Sequence, residues 1–304
     1  MNIKRKINHA INALVKRSYW YNKVLFPDCR KFWRYRTFNT DVVNLGSTSG
    51  LYAYNYEGLP LKGANWALGH NPLSGDNAIL RNYFSFLNPR KSTIIMTLCP
   101  FSALSGRYNF MEDRFYTLLN PLSIPDFSYK RQRIVKSWRQ NPIRLFPIYG
   151  LYLELKRFLR HDNKQLTESQ METDAQKWIK GWMHEFSISD FSAPLSLLNK
   201  DSMEEAAAIL NEIIDFCKER NIRPVLVLPP MYHTLAKKFS PEARDMLLNK
   251  LIAMVKDKSV KFLNYMDDEH FAHEPSLFMN SFFLNKKGAK KFTRIVLTDL
   301  GLLS

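Results

Sequence analysis

Long apolar segments are missing from this sequence. No stretch approaches the roughly 18 uncharged apolar residues that a membrane-spanning helix needs, and the N-terminus has no apolar run of the kind found in a signal peptide. The sequence therefore predicts a cytoplasmic protein. With 304 residues, 45% hydrophobic and 13% aromatic, it has enough apolar material to bury a core.

Cysteine is scarce as well. Cys29, Cys99 and Cys217 are odd in number, far apart, and without CxxC or Cys/His ligand spacing. We therefore expect neither a disulfide framework nor a structural zinc site.

Residues 267–270, Asp-Asp-Glu-His, have the composition of a metal site, but consecutive residues suit a solvated loop better than convergent ligands. The sequence predicts no bound metal and no cofactor.

Acidic residues are too few to balance the basic ones. The 28 Asp and Glu residues against 44 Lys and Arg residues leave a formal charge of +16. Residues 1–36 carry +9 of this excess and residues 130–160 carry +8, so the rest of the chain is nearly neutral. Localised positive charge predicts surfaces that meet a polyanion or an anionic lipid. Neither stretch has the spacing of a nucleic-acid recognition motif, so the sequence does not favour a nucleic-acid partner.

The first 40 residues form an N-terminal segment with its own pattern. Ile3, Ile7, Ile11 and Leu14 recur at helical spacing, and most of the nearby cations lie away from that stripe. This pattern predicts a basic amphipathic helix. Two interpretations stay open: the stripe packs on the domain, or it lies in the headgroup boundary of an anionic membrane. The second would place the protein at the inner face of the membrane as a peripheral protein.

From residue 41 onward, short apolar runs alternate with helical patterns, which indicates an α/β domain over residues 41–304. Five runs predict strands, at 41–46, 64–68, 92–98, 224–228 and 260–264, and those at 41–46 and 92–98 have the form of buried strands. Helices are predicted at about 75–87, at 206–216 behind a capping box of Ser202 and Glu205, from Ser240 and Pro241, and at 286–300. Residues from about 101 to 200 are rich in aromatics and cations and are interpreted as a helical insertion.

Such alternation predicts a parallel sheet with helices on both faces, and ligands bind these sheets at the carboxyl ends of the strands. The turn after the first strand reads Gly46-Ser47-Thr48-Ser49-Gly50. A hydroxyl at that helix N-terminus would have backbone N–H groups nearby to stabilise an oxyanion. The same turn would also suit a phosphate, or serve only as a strand-to-helix connection. It is not a P-loop, since no GKS/T follows.

Two segments near opposite ends of the chain resemble signature blocks of the SGNH (GDSL-type) hydrolase superfamily. Asp41-Val-Val-Asn-Leu-Gly-Ser-Thr-Ser-Gly50 is similar to the first block, in which a strand ends in Gly-Asp-Ser or Gly-Ser-Ser and the last Ser is the nucleophile. Met279-Asn-Ser-Phe-Phe-Leu-Asn-Lys-Lys-Gly-Ala289 is similar to the last block, Asp-x-x-His-Leu-Asn followed by Gly-Ala. The likeness is to members with bacterial surface-polysaccharide functions. It covers about residues 41–100 and 202–300.

The resemblance implies a three-layer α/β/α domain with a flavodoxin-like parallel sheet, to which the helical insertion and the basic N-terminal helix are added. It places Thr48 at the nucleophile position, Asn280 at the acid position and Phe283 at the base position. Phenylalanine cannot accept a proton, and loss of a triad base lowers turnover by roughly 10⁴- to 10⁶-fold in serine proteases. The ordinary Ser-His-Asp chemistry is therefore expected to be lost.

Other residues are candidates for parts of such a site. The family's oxyanion donors would correspond to Gly46, Gly63 and Asn65, although the usual Gly-x-Asn-Asp after the third strand is absent. Ser47 and Ser49 are neighbouring hydroxyls. The candidates for a displaced base are three loop histidines, each of which is more simply explained as a solvated surface residue: His233, His270 and His273.

Two classes of function stay open at this point. One is a carbohydrate esterase or O-acyltransferase of bacterial cell-surface polysaccharide metabolism, with Thr48 or a neighbouring serine and a displaced base. The other is a non-catalytic relative that binds a carbohydrate or a glycan-assembly enzyme at the membrane surface.

Overall fold

The structure is a computed structural model, and it describes residues 3–35, 37–106, 112–124, 127–159, 165–191 and 193–303. The chain folds into two compact units. We call residues 1–34 and 109–163 the basic unit, and residues 35–108 and 164–304 the sheet unit.

Five parallel strands form the sheet. They are β1 Val42–Gly46, β2 Gly63–Asn65, β3 Ser92–Thr97, β4 Ile222–Leu228 and β5 Lys261–Asn264. Their order is β2-β1-β3-β4-β5, which is the flavodoxin-like order and confirms the predicted fold class. All five predicted strands occur, but β2 as a strand ends at Asn65, opposite Asn44, although the Leu68 N–H still bonds to the Gly46 carbonyl of β1 at 3.1 Å.

Helices make up most of the remaining described structure. The α-helices are α1 Ile3–Val15, α2 Cys29–Tyr35, α3 Thr48–Ala53, α4 Leu73–Tyr83, α5 Phe115–Leu118, α6 Tyr129–Gln140, α7 Ile148–Leu159, α8 Glu168–Glu185, α9 Leu197–Lys218, α10 His233–Ala236, α11 Pro241–Arg244, α12 Lys250–Ala253, α13 Glu269–Ala272 and α14 Lys286–Asp299. Short 3₁₀ helices lie at Phe84–Phe86, Ser102–Leu104, Pro121–Ser123, Pro142–Arg144 and Pro275–Leu277, and π-helical turns at Tyr21–Leu25 and Asp245–Asn249.

Helices cover the sheet on both faces. α3 and α14 contact each other, and α14 buries its apolar side against one face of the strands. α4 and α9 also contact each other, and they contact β1 and β4 respectively. β1 and β3 are buried at every position, as expected of strands covered on both sides. These layers leave the carboxyl edge of the sheet as the place for a functional site.

α9 begins earlier than the sequence predicts. Its N-cap is Ser196, whose hydroxyl accepts the Asn199 N–H at 3.2 Å. Ser202, predicted as part of the cap, lies inside the helix and donates to the Leu198 carbonyl at 2.9 Å. The prediction was wrong because a serine hydroxyl can also bond back to the preceding turn of a helix. The predicted start at Ser240 is confirmed, since its hydroxyl accepts the Ala243 N–H.

The basic unit is helical in the part that the structure describes. α1 buries Asn12 and Val15, and the Asn12 side-chain oxygen accepts the Ile143 N–H at 3.1 Å. The Trp20 ring packs edge-on against the Phe146 ring, with centroids 5.4 Å apart. The N-terminal segment and part of the 101–200 region therefore fold together, a grouping that the sequence does not predict.

Some of the predictions made from the sequence are not tested by the structure. Arg36 and Arg160, counted in the two basic stretches, lie outside the described residues. The domain boundaries at residue 40 and at about 101–200 stay predictions. Within the described ranges, no helix combines the length and the hydropathy needed to cross a bilayer.

Candidate functional site

The carboxyl end of β1 is shaped by a glycine. Gly46 has a φ of +131°, a conformation that residues with a Cβ rarely adopt. A Cβ at this position would lie 2.8 Å from the Thr97 carbonyl oxygen of β3. The close approach of β1 and β3 at this edge therefore requires glycine, and the chain turns directly into α3, which begins at Thr48.

The three hydroxyls of this turn have different surroundings. The Thr48 hydroxyl accepts a hydrogen bond from the His70 backbone N–H at 3.1 Å, and Ser47 makes no side-chain cap to α3. Ser49 is buried, and its hydroxyl has no hydrogen-bond partner among the described residues. In that part of the chain, no histidine ring bonds to the Thr48 hydroxyl. A hydroxyl nucleophile needs a general base to activate it. Among the described residues, no imidazole is in position to do this for Thr48.

A small cavity lies beside Ser49. Its volume is about 10 Å³, about the space that one water molecule occupies, whereas small-molecule sites usually measure roughly 300–1,000 Å³. α3, the segments after β3 and β4, and the last block supply its walls: Ser49, Ala53, Leu98, Pro229, Pro230, Met231, Phe282 and Leu284. The first and last blocks therefore meet as the resemblance implies, but the cavity is too small for an acyl or sugar group.

A buried carboxyl group stands behind the turn. Asp76, in the first turn of α4, accepts hydrogen bonds on one oxygen from the Gly46 backbone N–H at 3.0 Å and from the Asn71 side-chain amide at 2.6 Å. Burial raises the pKa of Asp76 to about 7, although both hydrogen bonds oppose the shift. Asp76 was not among the candidates predicted from the sequence. The available signal was an acidic residue on an otherwise apolar helix face.

The last block uses its polar residue for a turn. The Asn280 side-chain oxygen accepts the backbone N–H groups of Phe282 at 3.0 Å and Phe283 at 2.7 Å. The Phe283 ring lies among other aromatic rings, with centroids 5.2 Å from Tyr52 and 5.3 Å from Trp178. The two positions that the resemblance assigns to the acid and the base are thus occupied by a turn cap and a packed aromatic ring.

α8 lies against this block and brings a second carboxylate. One oxygen of Asp174 accepts both the hydroxyl of Ser281 at 2.6 Å and its backbone N–H at 2.9 Å. Ser281 is fully buried, so this carboxylate satisfies two donors that would otherwise be unpaired. The Trp178 and Trp182 rings of α8 also pack on Phe282. These contacts were not predicted from the sequence, because α8 lies in the segment interpreted as an insertion.

The oxyanion candidates are already engaged. The Asn65 amide donates to the carbonyls of Gly50, Leu51 and Tyr54 at 3.2–3.3 Å, and its oxygen accepts from the Asn44 amide at 3.0 Å. It is 3% exposed. The side-chain N–H groups of Asn65 therefore bond to backbone carbonyls of α3 and of the residue that follows it, and they do not point into a substrate pocket.

Gly63 serves packing at the start of β2. A Cβ at Gly63 would lie 2.1 Å from the Tyr56 ring, so this glycine makes room for a buried aromatic side chain. As described above, the Gly46 N–H donates to Asp76. Each of the three oxyanion candidates thus has a local structural role.

The histidine candidates form two groups. The His233 ring lies 4.4 Å from the His273 ring between centroids, and His233 Nε2 lies 2.8 Å from a carboxylate oxygen of Glu168 on α8. The other Glu168 oxygen accepts the Tyr232 hydroxyl at 2.5 Å. His270 instead bonds to the carboxylate of its neighbour Asp268 at 2.9 Å. Both His233 and His270 therefore have a carboxylate partner, as an oriented imidazole base would, but only His233 receives its carboxylate from a distant segment, α8.

The site as a whole has the right location but lacks a connected set of catalytic groups. The Thr48 hydroxyl, the carboxylates of Asp76 and Asp174 and the His233 imidazole each bond to other partners, and the buried Ser49 hydroxyl has no hydrogen-bond partner among the residues that the structure describes. In the same ranges, no cluster of three or more His, Cys, Asp and Glu side chains could hold a metal ion.

A comparison with known proteins finds no family model that matches this sequence and no curated protein that is significantly similar to it.

Proposed function

We propose that this chain is a non-hydrolytic SGNH-like protein of bacterial cell-surface polysaccharide metabolism, which binds a carbohydrate or a glycan-assembly enzyme. The likeness of residues 41–50 and 279–289 to the first and last SGNH blocks supports this proposal, together with the flavodoxin-like strand order. A fold of this class hosts many functions, so function is determined by the residues of the site.

The observation that carries the proposal is the environment of Phe283. Its ring stands at the position of the catalytic base and packs between Tyr52 and Trp178. A hydrolase of this class needs an imidazole there to take the proton of the nucleophile and to protonate the leaving group. Phe283 can do neither, and the Asn280 oxygen that would orient an imidazole is used by two backbone N–H groups.

Acetate release from an activated acetyl ester and from an O-acetylated polysaccharide tests the proposal. We expect the wild-type protein to show the uncatalysed rate, and Thr48→Ala to leave it unchanged. Thr173→Ala, which alters an exposed threonine of α8, is the matched control. A native rate that Thr48→Ala abolishes and Thr173→Ala preserves would refute the non-hydrolytic assignment.

One observation favours an esterase or O-acyltransferase as the second candidate. The Glu168–His233 pair has the geometry of an oriented imidazole base. If it is catalytic, His233→Gln and Glu168→Gln should both abolish acetate release, whereas His270→Gln should leave it intact. His270 is a suitable control because its ring bonds only within its own turn.

A further inference from the structure

α1 presents an exposed apolar face. Ile3, Ile7, Ile11 and Leu14 follow one another along the helix, with exposed fractions between 40% and 74%. The buried residues of α1 are Asn12 and Val15 instead, so the isoleucine stripe is not the face that packs on the protein. Hydrophobic side chains grouped in this way on a surface indicate an interaction site.

α7 presents a second face of the same kind. Ile148, Leu151, Tyr152 and Leu155 lie at helical spacing and are between 53% and 87% exposed. α7 buries Gly150, and the carboxylate of Glu154 bonds to the Tyr19 backbone N–H just after α1. The basic unit therefore carries two amphipathic helices, each with its apolar face exposed.

The unit that carries these two faces is strongly positive. The basic unit contains 19 Lys and Arg residues and six Asp and Glu residues, a formal charge of +13 out of the +16 of the whole chain. Lys4 and Lys6 lie on either side of the apolar stripe of α1 on a helical wheel. α6 has five cations and no acidic residue. Apolar stripes bordered by cations are typical of helices that lie in the interface of an anionic bilayer.

A pocket in the same unit gathers cations from three segments. Its volume is about 290 Å³, and Lys16, Arg30 and Arg139 line it together with the aromatic rings of Tyr21 and Trp33. None of the three cations forms an ion pair with an acidic residue in the described ranges. Cations without such partners beside amphipathic aromatic rings suit the boundary between lipid headgroups and acyl chains.

We propose that the basic unit docks on an anionic phospholipid bilayer. The apolar faces of α1 and α7 enter the headgroup boundary, and the surrounding Lys and Arg side chains lie over the phosphate and carboxylate groups of the lipids. This inference stands on the basic unit alone and does not depend on the function proposed for the sheet unit. Nucleic acid fits less well, because exposed aliphatic residues such as Leu151 and Leu155 provide no stacking surface for bases.

Sedimentation of the full chain with vesicles tests this proposal. We expect recovery with vesicles of phosphatidylcholine and phosphatidylserine, little recovery with phosphatidylcholine alone, and weaker recovery as salt screens the charges. Arg30→Gln with Arg139→Gln should lower the partition coefficient about 30-fold, at about 1 kcal/mol for each cation near the surface. Leu151→Ser with Leu155→Ser should lower it at least about tenfold through lost apolar burial.

Matched changes in the sheet unit serve as controls. Lys177→Gln with Lys180→Gln removes two exposed cations of α8, and Leu197→Ser removes a leucine that is 78% exposed. Both should leave vesicle binding unchanged. All altered residues are on the surface, so circular dichroism should show unaltered folding in every variant.

Three results would overturn the proposal. The first is equal recovery with the two kinds of vesicle, or no effect of the basic-unit variants. The second is tight binding to RNA or DNA without vesicle binding, which would assign the charge to nucleic acid. The third is a stable dimer that the leucine variant dissociates, again without vesicle binding, which would assign the apolar faces to a second copy of the chain.

Discussion

The Phe283 ring packs against the Tyr52 ring with centroids 5.2 Å apart. This contact joins α3, which follows the first strand, to the segment that precedes the last helix, although the two lie more than 200 positions apart in the sequence. α3 and the segment that resembles the last SGNH block therefore meet through aromatic packing. A triad would require a hydrogen-bonded imidazole in the same place.

If Phe283 is a packing residue, its truncation should destabilise the sheet unit. Phe283→Ala removes a ring that is 8% exposed and should cost about 3–5 kcal/mol in denaturant unfolding. Leu197→Ala, at a position that is 78% exposed, should change stability by less than about 0.5 kcal/mol. A loss at Phe283 as small as that at Leu197 would contradict the packing described here.

Asp76 should make the stability of the protein depend on pH. Its pKa in the folded chain is about 7 and its ordinary value is 3.8, so the folded chain binds this proton more tightly than the unfolded chain does. The contribution of Asp76 is therefore fully present below about pH 4 and is lost as the pH rises to about 7. The loss should amount to a few kcal/mol, at about 1.4 kcal/mol for each unit of pKa difference.

Unfolding titrations of the wild type and Asp76→Asn between these pH values measure this effect. An asparagine keeps an acceptor for the Gly46 N–H and cannot ionise, so the decline in stability should become much shallower. Asp201→Asn, at an exposed position of α9, should keep the wild-type slope. Parallel curves for Asp76→Asn and the wild type would mean that the carboxyl group is ionised in the folded protein.

Gly46 and Gly181 should respond to alanine in opposite directions. Gly46→Ala introduces a Cβ at a φ of +131° and 2.8 Å from the Thr97 carbonyl oxygen, and backbone strain alone should cost about 1–3 kcal/mol. Gly181 lies inside α8 with no atom within 4 Å of an added Cβ, so Gly181→Ala should stabilise the protein by about 0.5–1 kcal/mol. Thermal unfolding of the two variants checks both signs.

The Asp174–Ser281 contact should hold α8 on the last block. Asp174→Ala leaves the hydroxyl and the backbone N–H of fully buried Ser281 without their acceptor, at a cost of about 1–3 kcal/mol for each unpaired group. Asp174→Asn retains one acceptor oxygen and should lose less. Urea unfolding in which the alanine and asparagine variants lose the same amount would show that the hydrogen bonds do not hold α8.

The local pattern of the sequence was sufficient for the architecture of the sheet unit. Apolar runs identified all five strands, and Ser240 with Pro241 marked the start of α11. Glycine at position 46 marked the turn that follows β1. These features depend on residues within a few positions of one another, because strand-forming apolar runs, helix capping and backbone conformation are set by immediate neighbours.

Only the tertiary structure decided what surrounds the candidate site. Periodicity shows that a side chain is apolar, but it does not show what covers it. The exposure of Ile7, the packing of Phe283 and the arrival of Asp174 from the supposed insertion all depend on contacts between distant segments. The pKa of Asp76 likewise follows from burial beneath another element. Fold class could therefore be predicted from the sequence, whereas the chemistry of the site required the positions of residues far apart along the chain.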